Sequence, residues 1–258
     1  MRHDTKRLPR IAFVGDGWIK KLHDSLIALY GLEGAVHLQD TKVTDIAALD
    51  AAAPRGEFDL RIGTWRDDAA WQGAFDHVVP RFYVDGLSTV EVAGEGGARQ
   101  FLGADPLRDL VDADRDIRIV MAAVSGEYDF RPVARFDASI DALRVQESVA
   151  IPISDVLLDT FRDRLVLNGC KKPAPVLTIA LLRRLADRIG LKPLSLAAPH
   201  PLIVGDMAFK ASRSAFFPFD AEKLGLTFEP DPFWFPTFGG IFKDFAADVR
   251  KARQTTDA

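Results

Sequence analysis

Short apolar runs alternate with stretches of helical apolar spacing along the first part of the chain. Residues 10–14 are an apolar run that ends at the turn Gly15-Asp16-Gly17, and residues 18–30 have helical spacing up to a stop at Gly31. Further strands are predicted at 35–38, 58–64 and 77–84, and further helices at 45–53 and 67–75. Repeated strand–helix units of this kind are typical of an α/β fold with a parallel sheet.

The second half is less regular. It predicts a strand at 117–124, helices at 137–148 and 154–162, a short strand at 164–167, a polar turn at 168–173 and the strongest helix at 175–189. The glycine-rich stretch 91–100 is predicted to be a loop or lid. The Phe- and Pro-rich part from about 200 to 258 is predicted to be irregular and packed on the core, with a helix at 241–253. Because no linker divides the chain, we expect one three-layer α/β/α domain over residues 1–258 with a mainly parallel sheet.

Composition narrows the function classes. The 258 residues are 48% hydrophobic and 27% charged with a net charge of -4, which is typical of a globular protein and does not favour nucleic-acid binding. The single cysteine, Cys170, excludes an intrachain disulfide and a cysteine zinc site, and no spacing of His, Asp and Glu favours a metal. With no membrane-spanning run and no apolar segment behind the N-terminus, we expect a cytoplasmic protein.

The turn Gly15-Asp16-Gly17 is the first candidate binding site. Ligands of open parallel sheets bind outside the carboxyl ends of the strands, and the glycines allow the backbone to approach a ligand. The N–H groups at the start of the following helix, at Trp18, suit an anion. The alternative is a tight turn in which Asp16 only caps the helix. Lys20 stands where a dinucleotide fingerprint needs its third glycine.

Two later segments also carry candidate chemistry. Lys171 and Lys172, in the turn before the long helix, could hold a phosphate or another anion, or could form a solvated basic turn. Cys170 beside them is a minor candidate nucleophile, because a lysine neighbour would lower the pKa of its thiol. His200, held between two prolines, could act as a general base or be a structural loop residue.

A serine hydrolase meets a specific obstacle in this sequence. The first turn of SGNH-type hydrolases resembles Gly-Asp-Ser, and here Gly17 occupies the place of the serine. No Gly-x-Ser-x-Gly motif occurs elsewhere. A serine nucleophile at this turn is therefore excluded.

Four features occur in an order that resembles a known family. They are the turn at 15–18, the polar run 143–147 followed by 153–156, the strand–turn–helix segment 164–190, and the tail with Pro218, the Leu224-Gly225-Leu226 run and Phe228. The chain resembles the WcbI family of polysaccharide-biosynthesis proteins. The resemblance implies an SGNH-hydrolase-like fold and the activity of an acetyltransferase that binds coenzyme A.

Both polar turns depart from the family pattern. The family's first turn typically reads Gly-Asn-Cys-Gln, and Asp16, Gly17 and Trp18 replace its last three residues here. Its later Asn-His-Pro is Lys171-Lys172-Pro173 in this chain. If the activity is kept, the resemblance implies direct acyl transfer from acetyl-CoA to a sugar.

Each candidate then has a role in that reaction. Asp16 or His200 would be the base, and the N–H groups of Gly17 and Trp18 would be the oxyanion donors. Lys171 and Lys172 would hold coenzyme phosphates. Two alternatives stay open: a non-catalytic protein of the same fold that binds a glycan or nucleotide-linked ligand, and a glycosyltransferase that uses a nucleotide sugar.

Overall fold

The computed structural model describes residues 8–32, 34–87, 90–93, 100–102, 131–168, 172–192, 212–215 and 218–228. The strands in these ranges are β1 (Ile11–Gly15), β2 (Val36–Gln39), β3 (Leu60–Thr64), β4 (His77–Val79), β5 (Val90–Ala93), β6 (Gln100–Leu102), β7 (Leu167–Asn168), β8 (Lys172–Pro173) and β9 (Ser212–Ala215). The helices are α1 (Gly17–Tyr30), α2 (Ile46–Ala52), α3 (Ala69–Gly73), α4 (Pro132–Glu147), α5 (Ser154–Thr160), α6 (Pro175–Arg188) and α7 (Pro218–Leu224).

These elements fall into two compact units. The first takes its described residues from Met1–Arg81, Ala142–Val156 and Pro175–Ala208. The second takes them from Phe82–Asp141, Leu157–Ala174 and Phe209–Ala258. The expectation of a single domain over residues 1–258 stays a prediction.

A four-stranded parallel sheet is the centre of the first unit. Its strand order is β2-β1-β3-β4, and each of the three pairings is parallel. The register aligns Phe13 with His37 on one side and with Ile62 on the other. The central strand β1 is buried along its whole length, as expected for a parallel strand covered on both faces.

Helices cover both faces of this sheet. Successive residues of a strand point to opposite faces, so Phe13 faces one helix layer and its neighbours Ala12 and Val14 face the other. Phe13 meets His23 of α1 at 5.4 Å between ring centroids. Ala12 and Val14 belong to a core cluster with residues of α2, α3 and their flanks, among them Leu49, Ala53, Trp71 and Phe75. The fold is therefore α/β with three layers, as the sequence predicts.

Side chains cap the helices of this unit. Asp16, Asp45 and Asp68 are N-caps whose carboxylates accept hydrogen bonds from the first turns of α1, α2 and α3. Gly31 ends α1 in the left-handed conformation, with φ of 60°, and its N–H donates to Ile27 O. The predicted stop of the first helix is confirmed.

A buried arginine joins the sheet to α2. The Arg61 side chain is 3% exposed, and its guanidinium donates to the carbonyl of Ala53, the C-cap of α2, and pairs with Asp50 Oδ1 at 2.8 Å. A guanidinium taken out of water needs such partners, because an unpaired buried charge is strongly destabilising. Arg61 of β3 therefore holds the end of the seven-residue helix α2 against the sheet.

The outer side of β4 is also occupied. Ala150 forms a parallel bridge with Val78, and Ile151 N–H donates to Val78 O at 2.8 Å. One turn earlier, the amide of Gln146 accepts from Arg81 N–H at 2.8 Å and donates to Arg81 O at 3.1 Å, as a peptide group would. The segment after α4 therefore continues the sheet beyond its fourth strand.

The second unit contains antiparallel strands. β5 lies between β6 and β9 in a three-stranded antiparallel sheet, and β7 pairs with β8 as a two-stranded antiparallel ribbon. Arg135 makes a charge-assisted double contact with Asp85. The rings of Phe136 and Phe161 lie 4.6 Å apart between centroids.

Several predicted elements differ from the structure. β4 ends at Val79, before Pro80, because proline cannot continue a strand ladder, so the predicted strand 77–84 is too long. The stretch 91–100 is not all loop, since its ends belong to β5 and β6, and the region after 200 contains β9 and α7. The predicted strand 117–124 and helix 241–253 lie outside the described residues.

Asp76 links the loop before β4 to β3 and offers a test of the sheet's amino-terminal edge. Its carboxylate accepts from Arg61 N–H at 2.7 Å and from Arg55 Nη1 at 2.7 and 2.8 Å. Burial by itself would raise the pKa of Asp76, but the hydrogen bonds and the charge of Arg55 outweigh it and hold that pKa below its ordinary value.

We expect Asp76→Asn to lower the free energy of unfolding by about 1 kcal/mol at pH 7, because the pair with Arg55 is partly solvent-screened. A carboxyl with a depressed pKa stabilises the fold above the unfolded-state pKa and loses that contribution as the pH falls through its folded-state pKa. Urea denaturation from pH 7 downwards should show wild type and variant converging below the ordinary value of 3.8. A constant difference down to pH 2 would contradict the assignment.

Candidate functional site

The carboxyl edge of the parallel sheet contains a topological switch point. The chain leaves β1 for β2 on one side and later returns to β3 on the other side of β1. α1 covers one face and α2 and α3 the other, so the segments after β1 and β3 diverge at this edge. Open parallel sheets bind ligands in the crevice formed at such a point. The turn Gly15-Asp16-Gly17 follows β1 and therefore lies here.

Gly15 brings α1 close to the sheet. A Cβ at this position would overlap Thr64 Oγ1 and lie 2.7 Å from Ile19 Cγ2, so any other residue would push the helix or β3 away. The Gly15 carbonyl accepts from His37 Nε2 at 3.1 Å and from Asp40 N–H at 3.2 Å. The role of Gly15 is therefore close packing: its missing side chain makes room for Thr64 and Ile19, and its carbonyl is hydrogen-bonded to His37 and Asp40.

Gly17 is different from Gly15. It is exposed, and a Cβ there would meet nothing within 4 Å. A ligand could approach the backbone at this point, as the sequence predicts for a binding glycine. Whether it binds one stays a prediction.

Asp16 caps α1 with its side chain. Its backbone is extended, and its Oδ1 accepts from Trp18 N–H at 3.0 Å. The interpretation of Asp16 as a cap is thus confirmed. The Trp18 N–H, predicted as an oxyanion donor, already donates to this carboxylate. The role of the Gly17 N–H as a donor to a ligand stays a prediction.

The last residue of β3 and the two residues after it lie at the same edge, and the sequence did not predict them as site residues. Thr64 is 5% exposed, and its Oγ1 has no hydrogen-bond partner among the described residues. Trp65 is half-buried against the core. Arg66 stacks over the ring of Trp71, with its guanidinium carbon 3.7 Å from the centroid. The strand order that places this segment beside the first turn cannot be read from spacing along the sequence.

The remaining predicted site residues belong elsewhere or lie outside the described residues. Lys171 and His200 are outside them, and Lys172 is described only as backbone of β8. Lys172 begins β8, which pairs with β7 in an antiparallel ribbon. Among the described residues β7 pairs with β8 and with no strand of the parallel sheet, so the prediction that the strand before the lysines belongs to that sheet is not confirmed.

The described part of the chain contains neither a metal-binding cluster nor a membrane-spanning helix. Among the residues with assigned positions, no group of three or more His, Cys, Asp or Glu could hold a metal ion. None of the helices described has the length and apolar character needed to cross a membrane.

An open parallel sheet with helices on both faces and a switch point at its carboxyl edge defines a three-layer α/β protein. Among solved structures this fold is similar to that of WcbI, described as a novel polysaccharide biosynthesis enzyme, with a TM-score of 0.61 over 86% of this chain and 80% of WcbI. The WcbI structure is that of the native protein without a disulfide bond between coenzyme A and one of its cysteines.

The two chains are 12% identical, so the likeness shows a shared fold and confirms at that level the resemblance drawn from the sequence. No protein-family model and no curated protein matches the chain.

The two glycines of the first turn should respond differently to a methyl group. We expect Gly15→Ala to lower the free energy of unfolding by about 1–3 kcal/mol through overpacking against Thr64 and Ile19. Gly17→Ala, in open space at the helix start, should leave it unchanged or raise it by up to about 1 kcal/mol. Urea denaturation of both variants measures the contrast, and equal midpoints would show that Gly15 is not closely packed.

Thr64 offers a second test of this edge. A buried hydroxyl without a partner costs free energy, so its replacement by the isosteric Thr64→Val should not destabilise the protein and should raise the free energy of unfolding by up to about 1 kcal/mol. The control is Ser139→Ala, since Ser139 Oγ accepts from Asp85 N–H and donates to Arg135 O, both at 2.9 Å. That variant should lose about 1–2 kcal/mol. Equal losses in thermal unfolding would show that Thr64 is hydrogen-bonded.

Proposed function

We propose that the protein transfers an acetyl group from acetyl-CoA to a sugar hydroxyl in polysaccharide biosynthesis. The observation that carries the proposal is the fold shared with the polysaccharide biosynthesis enzyme WcbI over 86% of the chain, combined with the exposed turn at the switch point. In the resemblance drawn from the sequence, this is the turn that carries a cysteine in the family. Here the corresponding residue is Gly17, which supplies a backbone N–H and space.

A direct transfer fits this turn. The acceptor oxygen forms a bond to the thioester carbonyl carbon, the bond from carbon to sulfur breaks, and coenzyme A leaves as the thiolate. The acceptor proton passes to a base and from the base to the leaving thiolate, which becomes the thiol, and the developing oxyanion needs a donor. Gly17 N–H is the proposed donor, and no side chain of the turn is needed as a nucleophile.

Asp16 and His200 are the proposed bases. Asp16 is half-buried at the crevice and already accepts one hydrogen bond from Trp18 N–H through Oδ1. A carboxylate has two oxygens with several lone pairs, so the second oxygen is the one proposed to receive the acceptor proton. This bond also holds the carboxylate in a fixed orientation at the start of α1.

Lys171 and Lys172 are proposed to hold phosphates of the coenzyme. They come shortly before α6, which begins at Pro175 and has the positive end of its dipole there. In a chain with a net charge of -4, two adjacent lysines at a helix start create a local positive potential that would steer an anion.

A non-catalytic binding protein of the same fold is the second candidate. The observation that favours it is Gly17, since the replacement of a reactive side chain by glycine is what a protein that has lost catalysis would show. Such a protein would still bind a glycan or a nucleotide-linked ligand at the same crevice.

Isothermal titration calorimetry with coenzyme A and acetyl-CoA tests the proposal. We expect wild type to bind both. Gly17→Val should weaken binding roughly ten-fold or more, because the valine side chain fills the space beside the backbone. A ten-fold loss corresponds to about 1.4 kcal/mol of binding free energy. Gly56→Val is the matched control, because Gly56 is equally exposed, meets nothing within 4 Å and precedes β3 at the opposite edge of the sheet. Lys171→Ala with Lys172→Ala should weaken binding at low salt and less so at high salt.

The outcomes separate the candidates. Acetyl transfer to a saccharide, followed by release of the free thiol, supports the enzyme. Binding of coenzyme A without turnover of any acceptor supports the binding protein. If coenzyme A and acetyl-CoA give no heat of binding while a nucleotide sugar does, the acyltransferase proposal is wrong and a glycosyltransferase replaces it.

A further inference from the structure

Arg66 extends from the end of β3 across the end of β1 to the segment that follows β2. Its guanidinium donates to Thr44 O at 3.2 Å and to Val43 O at 3.4 Å, and Nη2 lies 3.6 Å from Asp40 Oδ2. The ring of Trp71 lies beneath it. Because β1 lies between β2 and β3, this bridge passes over the switch point described above.

The Asp40–Arg66 pair is unusually long. Six other ion pairs among the described residues are 2.8 Å or shorter, including Arg55–Asp76, Arg61–Asp50 and Arg184–Asp155. At 3.6 Å the two groups attract each other without a good hydrogen bond. The carboxylate can therefore still accept hydrogen bonds, and the guanidinium can still donate them with good geometry.

A hydroxyl group placed beside this pair can bridge the two side chains. It donates one hydrogen bond and accepts others, so a single hydroxyl can donate to Asp40 and accept from Arg66. Vicinal hydroxyls of a sugar ring can divide the two roles between them.

The charge around the crevice favours an uncharged ligand. The segments between β1 and α1, β2 and α2, and β3 and α3 contain five aspartates, one lysine and one arginine, which is a net charge of -3. Asp16 already occupies the first turn of α1. An anionic group would be repelled here, whereas a neutral polyol would not.

We propose that Asp40 and Arg66 form a subsite for a neutral sugar, whose hydroxyl groups bridge the two side chains at the switch point. The subsite rests on the proposed function, in which it binds the sugar that accepts the acetyl group. It places a neutral saccharide at the sheet edge that also contains Gly17.

Saturation-transfer NMR without coenzyme A tests the subsite. The probes are the methyl glycosides of glucose, mannose and galactose, with methyl glucuronide and glucose 1-phosphate as anionic counterparts. At least one neutral glycoside should bind wild type. Asp40→Asn and Arg66→Gln should each weaken that binding about ten-fold, because each removes a hydrogen-bonding group that the ligand uses.

Arg55→Gln is the matched control. Arg55 also pairs with an aspartate, but at the amino-terminal edge of the sheet, so its loss should leave glycoside binding within about two-fold of wild type. Thermal unfolding of all three variants checks that each folds. If Arg66→Gln unfolds, Asp40→Asn decides the test.

Three results would overturn the subsite. They are no binding of any neutral glycoside to wild type, equal binding in wild type and in Asp40→Asn, and preferential binding of glucuronide or sugar phosphate. Failure of coenzyme A binding in calorimetry would remove the acyltransferase while a positive glycoside result left the subsite standing. The two proposals therefore fail separately.

Discussion

The close approach of α1 to the sheet at Gly15 is the constraint on which the rest of the candidate site depends. Without a Cβ at this position, Ile19 and Thr64 can lie against the strand end, and the first turn of the helix stands directly over the carboxyl edge. His37 and Asp40 hold the Gly15 carbonyl from the neighbouring strand. The cap at Asp16 and the exposure of Gly17 both follow from this placement.

The net charge of the residues near the switch point and the charge of those at positions 171 and 172 have opposite signs. Around the switch point, aspartates outnumber cations, and several of them serve as helix caps. The adjacent lysines at 171 and 172 lie in a different segment of the chain. Within the first unit, this charge balance suits an uncharged reacting group held by backbone and hydroxyl contacts, because an anionic group would be repelled there.

The sequence predicts the elements of the parallel sheet well, because each depends on local spacing. Residues 10–14 followed by Gly15 and a helix up to Gly31 require no information from elsewhere in the chain. The antiparallel pairs are different: β5 and β9 are more than 100 residues apart, and β7 is too short for a pattern.

In the candidate site, too, the features that depend on neighbouring residues could be predicted, and those that depend on distant residues could not. Asp16 could be predicted as a cap, since a cap is defined by its own helix. Asp40 and Arg66 could not be predicted as partners, because only the strand order brings residues 26 positions apart together across β1.

The segment after α4 has a consequence for the behaviour of the protein at high concentration. An outer strand presents unpaired backbone groups to which another chain can add, and natural proteins cover such edges. Here the Ala150–Ile151 backbone pairs with the outer side of β4, and the Gln146 amide pairs with the Arg81 backbone just after that strand. Strand addition is thus hindered at that edge, whereas among the described residues no strand pairs with the outer side of the four-residue strand β2 at the opposite edge of the same sheet.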